Sequence, residues 1–292
     1  MIYRGRFAPS PTGQLHFGSL VAALASYLDA KSQQGQWLVR IEDLDPPREI
    51  AGASDDILRA LEVFQLEWDE SVLYQSRRHG RYQDILDSLE QRQLTYHCQC
   101  TRKTLAEHSG HYPNLCRDKN LQLSEPAIRL KHLFPVHHFD DRLQGRIHLP
   151  TQGEAEDFIL RRRDGLYAYQ LAVVVDDIDQ GITHIVRGAD LIDSTFKQAQ
   201  LYHYLNHLVP HYLHLPLAVN SAGHKLSKQN YAPAVLEQSA PQAMSNALMF
   251  LGQPLPKELH LAPCQEQLVW ATQHWSLDKL PKKRAIPLPS AE

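Results

Sequence analysis

The first forty residues show two kinds of hydrophobic spacing in alternation. Residues 2–8 are typical of a short strand and lead into the turn sequence Pro-Ser-Pro-Thr-Gly. Apolar residues then recur at helical spacing over residues 17–32, and an apolar run covers residues 37–41 after Gly35. A strand, a glycine-containing turn, a helix and a second strand in this order predict a parallel βαβ unit.

The hydrophobic pattern predicts that this unit is interrupted and later resumed. Two amphipathic helices follow it, and from about residue 94 cysteines, histidines and short strand-like runs replace the helical spacing. Helical and strand-like patterns return near Tyr167 and continue to the C-terminal region. The remaining predicted helices cover 57–64, 82–89, 194–208, 241–251 and 265–275, and the remaining predicted strands cover 127–130, 145–149, 157–160, 182–186 and 212–219.

These elements predict an α/β fold, a Rossmann-like doubly wound parallel sheet with an inserted α+β module and a short helical C-terminal appendage. Four regions follow from the change in pattern. They are residues 1–94 and 166–236 as the two halves of the main domain, residues 95–165 as the inserted module, and residues 237–292 as a short helical C-terminal region.

Composition narrows the class of protein but does not identify its partner. The 292 residues are 43% hydrophobic and 22% charged, as in an ordinary globular protein, and the net charge of −3 is not that of a strongly basic nucleic-acid binder. Basic triplets at 161–163 and 282–284 leave a local RNA-binding patch open, although a solvated surface is the commoner role of such triplets. No secretory leader or membrane span is recognised, which predicts a cytoplasmic protein with no membrane partner.

Two short segments, far apart in sequence, have the chemistry that adenylation requires. His16, Gly18 and Ser19 lie where the first helix begins, and free backbone N–H groups at such a position bind phosphate. Lys225, Ser227 and Lys228 lie in a loop that Gly223 opens. Positive charge held in place there would stabilise the charge that develops on the α-phosphate of ATP when a carboxylate attacks it.

With these two segments the chain resembles the class I aminoacyl-tRNA synthetases, whose signatures are HIGH and KMSKS. The corresponding sequences here are His-Phe-Gly-Ser at 16–19 and Lys-Leu-Ser-Lys-Gln at 225–229. The opening Arg-Phe-Ala-Pro-Ser-Pro-Thr-Gly narrows the resemblance to the glutamyl and glutaminyl branch. The resemblance implies His16, Lys225 and Lys228 as catalytic residues, and ATP with Mg²⁺ bound by these three together with Gly18, Ser19 and Ser227.

The same branch implies a glutamate site at the ends of the predicted strands. Arginine suits a carboxylate because its planar group bonds both oxygens, and a glutamate side chain suits the substrate ammonium group. The alternative is that these charged residues only pair with one another. The sequences Asp-Asp at 176–177 and Ile-Thr-His-Ile-Val-Arg-Gly at 182–188 resemble the glutamyl type and favour L-glutamate over glutamine as the substrate. The implied glutamate-binding residues are Arg6, Phe7, Ala8, Pro9, Ser10, Glu42, Tyr169 and Arg187.

Three of the four cysteines are close together in sequence, at positions 98, 100 and 116. In a cytoplasmic chain this clustering indicates a structural zinc ion, which takes four ligands, rather than a disulfide. Spacing leaves the fourth ligand open among His97, His108, His111 and Tyr112, and unliganded thiols are the alternative. Resemblance to the short glutamyl branch points to Tyr112, giving the set Cys98, Cys100, Tyr112 and Cys116. Cys264 is predicted to be a small core residue.

Only 64 residues follow Lys228. Full-length members of the family have a long helical anticodon-binding domain after the lysine segment, so the resemblance implies a catalytic domain over 1–94 and 166–236 and no anticodon-binding domain in 237–292. In this respect the chain resembles the truncated, glutamyl-Q branch of the family. That resemblance implies activation of L-glutamate by ATP without tRNA, then transfer to queuosine in the anticodon loop of tRNA(Asp). No obligate protein partner is evident. Two alternatives remain: a minimal glutamyl-tRNA synthetase that charges a tRNA 3′ end, and a non-catalytic binding protein of the same fold.

Overall fold

The computed structural model of the chain describes residues 2–108, 112–149, 156–220, 223, 235–237 and 239–288. The helices are α1 (Phe17–Ser32), α2 (Ala53–Val63), α3 (His79–Gln91), α4 (Arg102–Ala106), α5 (Tyr169–Asp179), α6 (Ile192–Tyr204), α7 (Ala240–Phe250) and α8 (Cys264–His274). The strands are β1 (Arg4–Phe7), β2 (Gln36–Ile41), β3 (Leu73–Tyr74), β4 (Thr95–Cys98), β5 (Ala127–Leu130), β6 (His138–Asp141), β7 (Gly145–His148), β8 (Ile159–Arg161), β9 (His184–Gly188), β10 (His211–Leu215), β11 (Leu217–Val219) and β12 (Ala285–Pro287).

The central sheet is largely parallel, as predicted. One group of strands has the order β1-β2-β3, and a second has the order β9-β10-β6-β7, in which only β7 runs antiparallel to its neighbour. The backbone N–H of Thr183 donates to the carbonyl of Arg4 at 2.9 Å, so β9 lies directly beside β1. The carboxyl ends of β1, β2, β9 and β10 therefore meet at one edge of the molecule.

Both faces of this sheet are buried. Successive side chains of a strand point to opposite faces, and Val39 of β2 belongs to the core around α1 while Leu38 belongs to the core around α6. Val186 and Ile185 of β9 divide in the same way. Helices on both faces explain why these strands read as continuous apolar runs. Among the described helices, none has the length and apolar character needed to cross a bilayer.

Helix α1 packs against elements from both the N-terminal and the C-terminal part of the chain. Its bounds, Phe17–Ser32, are those the apolar spacing predicts, and Leu20, Leu24 and Leu28 are fully buried. Helices α7 and α8 pack against it in the same core. Cys264, at the start of α8, is buried there, which confirms its prediction as a core residue. The C-terminal helices thus complete the core of the N-terminal half.

The region predicted as a module at 95–165 is divided in the structure. Strands β4, β5 and β8 form a separate antiparallel sheet. Strands β6 and β7, however, extend the central sheet, because β6 pairs in parallel with β10. Residues 138–148 therefore belong with the central sheet rather than with the predicted insertion, while the other region boundaries stay a prediction.

The strand predicted at 212–219 is also divided. Pro216 has no backbone N–H to donate, and β10 ends before it at Leu215 while β11 starts after it at Leu217. Strand β11 leaves the central sheet and pairs in parallel with β12 near the C-terminus.

Candidate active site

The carboxyl ends of the parallel strands open into a cleft of about 1060 Å³. All the described residues that the sequence predicts for nucleotide and glutamate binding line this cleft. They are Arg6, Phe7, Ala8, Pro9, Ser10, His16, Gly18, Ser19, Glu42, Tyr169 and Arg187. The lysine loop, with Lys225, Ser227 and Lys228, lies outside the described residues.

The N-terminus of α1 faces the cleft and is capped by His16. The Nδ1 atom of His16 accepts a hydrogen bond from the backbone N–H of Ser19 at 3.3 Å. Since Nδ1 accepts, Nε2 carries the proton, and it lies 3.0 Å from the hydroxyl of Ser19. Gly18 has an ordinary negative φ, so any need for glycine here comes from close approach of a ligand rather than from backbone conformation.

Arg187, at the end of β9, is buried and held by uncharged groups. Its Nε donates to Nε2 of His214 at 3.1 Å, and its Nη2 donates to the hydroxyl of Thr195 at 2.7 Å. Its Nη1 donates to Gln198 at 2.8 Å and more weakly to the hydroxyl of Tyr169 at 3.5 Å. Among the described residues no carboxylate is paired with this guanidinium group. A buried cation in this situation favours an incoming carboxylate.

Arg6, by contrast, is already paired. Its Nε and Nη2 lie 3.1 and 3.4 Å from the two carboxylate oxygens of Asp177, and Arg40 Nη2 lies 2.8 Å from the same carboxylate. Burial opposes the ionisation of Asp177, but the charges of Arg40 and Arg6 prevail and lower its pKa. The prediction that Arg6 contacts the substrate carboxylate is therefore less direct than the same prediction for Arg187.

Glu42 follows β2 and projects into the cleft beside these arginines. Its Oε1 accepts no hydrogen bond from the described residues, and Arg40 Nη2 lies 3.6 Å from it. Burial raises the pKa of Glu42 to about 7, although the charges of Arg40 and Arg6 act in the opposite direction. A substrate ammonium group would supply the missing partner and favour the ionised carboxylate.

Tyr169 is influenced by both the positively charged arginines and the negatively charged Glu42. Burial raises the pKa of its hydroxyl, the charges of Arg187 and Arg6 lower it, and the charge of Glu42 raises it further. The hydroxyl lies 3.5 Å from Nη1 of Arg187, and Tyr169 and Glu42 line the same cleft. An α-amino acid, which has a carboxylate and an ammonium group on one carbon, would meet all three side chains.

The predicted metal ligands lie together on the small antiparallel sheet. The sulfur atoms of Cys98, Cys100 and Cys116 all lie within 4.8 Å of one another, with 3.6 Å between Cys100 and Cys116. Tetrahedral zinc holds sulfur ligands about 3.8 Å apart, so these three residues fit such an ion. The Tyr112 hydroxyl lies 3.6 Å from the Cys98 sulfur and accepts from the backbone N–H of Cys116 at 3.0 Å, so it lies beside the cysteines.

The other predicted candidates for the fourth ligand differ in position. Nδ1 of His97 accepts from the backbone N–H of Leu123 at 3.4 Å, and His108 is not part of the cluster. His111 lies outside the described residues. The guanidinium group of Arg129 lies 3.5 Å from the centre of the Tyr112 ring and donates to the Cys98 sulfur. The donor set thus fits zinc, with Tyr112 better placed than His97 or His108.

Residues 3–269 match the family model for the catalytic domain of class I tRNA synthetases of the E and Q type. The chain belongs to this family. Its relatives include proteins named glutamyl-Q tRNA(Asp) synthetase. That of Pectobacterium atrosepticum is 52% identical over 97% of this chain and 88% of the relative, and that of Vibrio parahaemolyticus is 55% identical over 97% and 96%. The chain is therefore a synthetase, an enzyme of the ligase type.

The fold agrees with this membership. A glutamate-tRNA synthetase from Elizabethkingia anophelis superimposes with a TM-score of 0.83 over 99% of this chain and 68% of the other, at 23% sequence identity. The likeness confirms the predicted α/β fold with its parallel sheet, while the zinc module within that prediction stays a proposal.

The sequence did not reveal several buried polar residues that pack behind the cleft of this synthetase. Arg40 and His214 are fully buried in β2 and β10, and Asp141 is buried in β6. A polar residue within an apolar strand is typical of a solvent-facing position, so the sequence alone indicates no role for it. For Arg40 and His214 the available signal was a polar residue with apolar neighbours on both sides in a strand, which is rare unless its polar atoms are paired; Asp141, between Asp140 and Arg142, gives no such signal.

Proposed function

We propose that this synthetase activates L-glutamate with ATP, in the absence of tRNA, to form glutamyl-adenylate and pyrophosphate. It then transfers the glutamyl group to queuosine in the anticodon loop of tRNA(Asp). The observation that supports the first step most is the placement of Arg187, Tyr169 and Glu42 around one cleft. The identity of 52–55% to proteins named glutamyl-Q tRNA(Asp) synthetase supports the second.

In this proposal the protein fixes glutamate by its charges. The carboxylate of Glu42 binds the α-ammonium group, and Arg187 takes a substrate carboxylate on the Nη1 edge that faces Tyr169. Arg6 is held by Asp177 and contributes positive charge at a second position, with the segment 7–10 forming the adjoining wall. Glutamine would place a neutral amide where these buried cations favour a negative group.

For the nucleotide, the first turn of α1 is the proposed phosphate-binding floor. Its free N–H groups attract anions, and Gly18 allows the adenosine to approach the backbone. His16, Ser19 and Ser227 bind the phosphates, and Lys225 and Lys228 stabilise the charge that grows when the glutamate carboxylate attacks the α-phosphorus. Mg²⁺ accompanies ATP and neutralises its phosphates.

The zinc proposal assigns Cys98, Cys100, Tyr112 and Cys116 to one structural ion. Their side chains form a small buried cluster with Tyr96 and Ala127 on the antiparallel sheet. Because few apolar residues are available there, a metal ion would hold the segment together more firmly than packing alone.

Two assays on one preparation test the proposed function. We expect ATP–pyrophosphate exchange that depends on glutamate and proceeds without tRNA, and we expect labelling by radioactive glutamate of tRNA(Asp) with queuosine but not of tRNA(Asp) without it. Absence of exchange would favour the non-catalytic binding protein. Equal labelling of both tRNA(Asp) forms, or labelling of tRNA(Glu) alone, would favour the minimal glutamyl-tRNA synthetase.

The lysine loop has its own test. Lys228→Ala is expected to reduce exchange by at least a hundredfold while leaving the thermal midpoint unchanged, because a cation that acts on the transition state contributes little to folding. Exchange at the wild-type rate would remove Lys228 from the catalytic residues.

A further inference from the structure

A chain of three buried side chains runs behind the amino-acid end of the cleft. His214 of β10 is fully buried, with Asp141 of β6 on one side and Arg187 of β9 on the other. Nδ1 of His214 lies 2.7 Å from a carboxylate oxygen of Asp141, and Nε2 accepts from Nε of Arg187 at 3.1 Å. Asp141 and His214 themselves do not line the cleft.

The hydrogen bonds fix the tautomer of the imidazole. Oδ1 of Asp141 accepts from the backbone N–H groups of Leu143 and Gln144 at 2.9 and 2.8 Å, and Oδ2 accepts from the backbone N–H of His214 at 3.1 Å, so both oxygens are acceptors. The proton of a neutral imidazole therefore lies on Nδ1, which donates to Asp141. Nε2 is left with its lone pair directed at Arg187, and a guanidinium group can only donate.

This arrangement determines which edge of Arg187 faces the cleft. His214 holds the Nε edge, while Thr195 and the carbonyl of Leu191 hold Nη2 at 2.7 and 3.3 Å. The remaining Nη1 edge is directed at Gln198 and Tyr169, and its 3.5 Å contact with the Tyr169 hydroxyl is the longest of the set. A substrate carboxylate can replace that contact with little loss.

We propose that Asp141 and His214 are positioning residues for substrate recognition: they orient the Arg187 guanidinium group so that its Nη1 edge presents to the carboxylate of the amino acid. The inference rests on the proposed function, because it presumes that the cleft binds glutamate. It adds to that function two residues that do not touch the substrate. Planar pairing of arginine with a carboxylate requires a fixed plane, so a loss of orientation weakens amino-acid binding before it affects ATP.

Two substitutions at His214 separate orientation from simple packing. In His214→Gln the longer side chain can place its amide oxygen near the Nε2 position and still accept from Arg187. In His214→Asn the shorter side chain reaches only the Nδ1 position, so it keeps the bond to Asp141 and leaves Arg187 without this acceptor. Both are neutral amides that differ by one methylene, so a packing defect from the smaller side chain is recognised by its equal effect on glutamate and ATP. His211→Gln, at an exposed position of the same strand, is the matched control.

The test measures L-glutamate binding to the full chain by titration calorimetry, and KM values for glutamate and ATP in the exchange assay. We expect His214→Asn to weaken glutamate binding about tenfold or more, as for loss of a hydrogen bond to a buried charged group. His214→Gln is expected to stay within about threefold of wild type, as is the KM for ATP in both variants, and His211→Gln should match wild type.

The other possible results would contradict either the positioning role or the proposed function. If wild type binds glutamate and the Asn and Gln variants weaken it equally, or not at all, the positioning role is wrong while the proposed function stands. An equal loss of glutamate and ATP affinity would indicate a general packing defect and would also overturn the positioning role. If wild type itself does not bind glutamate, the proposed function fails and this inference fails with it.

Discussion

The amino-acid end of the cleft and the cysteine cluster are two polar sites with different origins. The cleft assembles Arg6, Arg40, Asp177 and Arg187 from three strands and a helix that are far apart in sequence. The cluster takes Cys98, Cys100 and Cys116 from one short segment. The first site exists only if the whole sheet has formed, whereas the second is nearly complete in the local sequence.

The cleft and the cysteine cluster also differ in how their buried charges are balanced. In the cleft, buried Asp177 is paired with Arg40 at 2.8 Å and with Arg6 at 3.1 Å, so the protein supplies both signs. In the cluster, the described cation that an ionised Cys98 would face is the guanidinium group of Arg129, whose Nε lies 3.4 Å from the Cys98 sulfur. Asp177 is therefore neutralised by the protein itself, whereas in the proposed metal site the thiolates would be balanced chiefly by the metal cation.

Removal of the metal should have the largest effect. We expect chelation to release about one zinc ion per chain and to lower the thermal midpoint strongly, because a structural zinc ion contributes on the order of 10 kcal/mol to the folding of its site. Zinc is measured by mass spectrometry and unfolding by calorimetry. Cys116→Ser should reproduce the loss of zinc.

Two further variants sharpen this test. Cys264→Ala alters a buried cysteine outside the cluster and should keep its zinc while costing only about 1 kcal/mol. Tyr112→Phe removes only the hydroxyl that lies near Cys98, and it should weaken zinc retention against a chelator. A metal-free preparation with full thermal stability would contradict the structural-site proposal, and unchanged retention in Tyr112→Phe would exclude tyrosine as the fourth ligand.

The second largest effect is expected from breaking the buried ion pairs of the cleft. Asp177→Asn leaves Arg40, whose side chain is fully buried, without its closest carboxylate. Such a loss costs about 3–5 kcal/mol, because the remaining charge stays out of water. Chemical denaturation measures it.

The matched control uses an ion pair of the same length at the surface. Asp140 lies 2.8 Å from Arg146 with both side chains exposed, so Asp140→Asn should leave the denaturation midpoint nearly unchanged. If the two variants were equally stable, the cleft would not depend on its internal pairing, and the contrast with the cysteine cluster would be wrong.

The same contrast explains what could be predicted from the sequence. Helix α1 has the predicted bounds because its apolar spacing is local, and the three cysteines were recognised from their spacing. Strand β6 was missed because its buried positions are Phe139 and Asp141, and a buried aspartate hides the alternation that marks a strand. Its partner His214 lies in another part of the chain, so the pair is visible only after the sheet is assembled.

The roles within the cleft divide in the same manner. Glu42, Tyr169 and Arg187 were expected from family motifs, and the fold brings them to one cleft. The pairing of Arg6 with Asp177 was not predicted, because the alternative that the sequence offers is pairing of the arginines with Glu42. Motifs identify residue types at strand ends, but which arginine is paired depends on distances that only the folded sheet determines.

A smaller effect should appear in the pH dependence of Glu42. Burial raises its pKa to about 7, so the folded protein favours the neutral acid, and this contribution to stability is present below pH 4.5 and is lost as the pH rises through 7. Between pH 5 and 8, we expect the free energy of unfolding of the wild type to fall by up to about 3 kcal/mol relative to that of Glu42→Gln. Denaturation curves of both proteins at each pH give the difference.

Glutamate binding should show the opposite trend. The substrate ammonium group requires the ionised form of Glu42, so affinity should increase from pH 6 to 8 in wild type. Glu42→Gln should lose this dependence and weaken glutamate far more than ATP. Equal weakening of both substrates, or an unchanged pH profile in the variant, would remove Glu42 as the ammonium partner.

The smallest effect on stability is expected at the N-terminus of α1, where a third kind of polar site needs neither distant strands nor a metal. His16 caps the helix by accepting from the backbone of Ser19, and His16→Ala should cost about 1 kcal/mol. Asparagine is a good cap, so His16→Asn should restore stability. If His16 also binds the phosphates of ATP, the Asn variant should remain at least tenfold slower in exchange despite its restored fold. Recovery of both stability and exchange would show that the histidine is needed only to begin the helix.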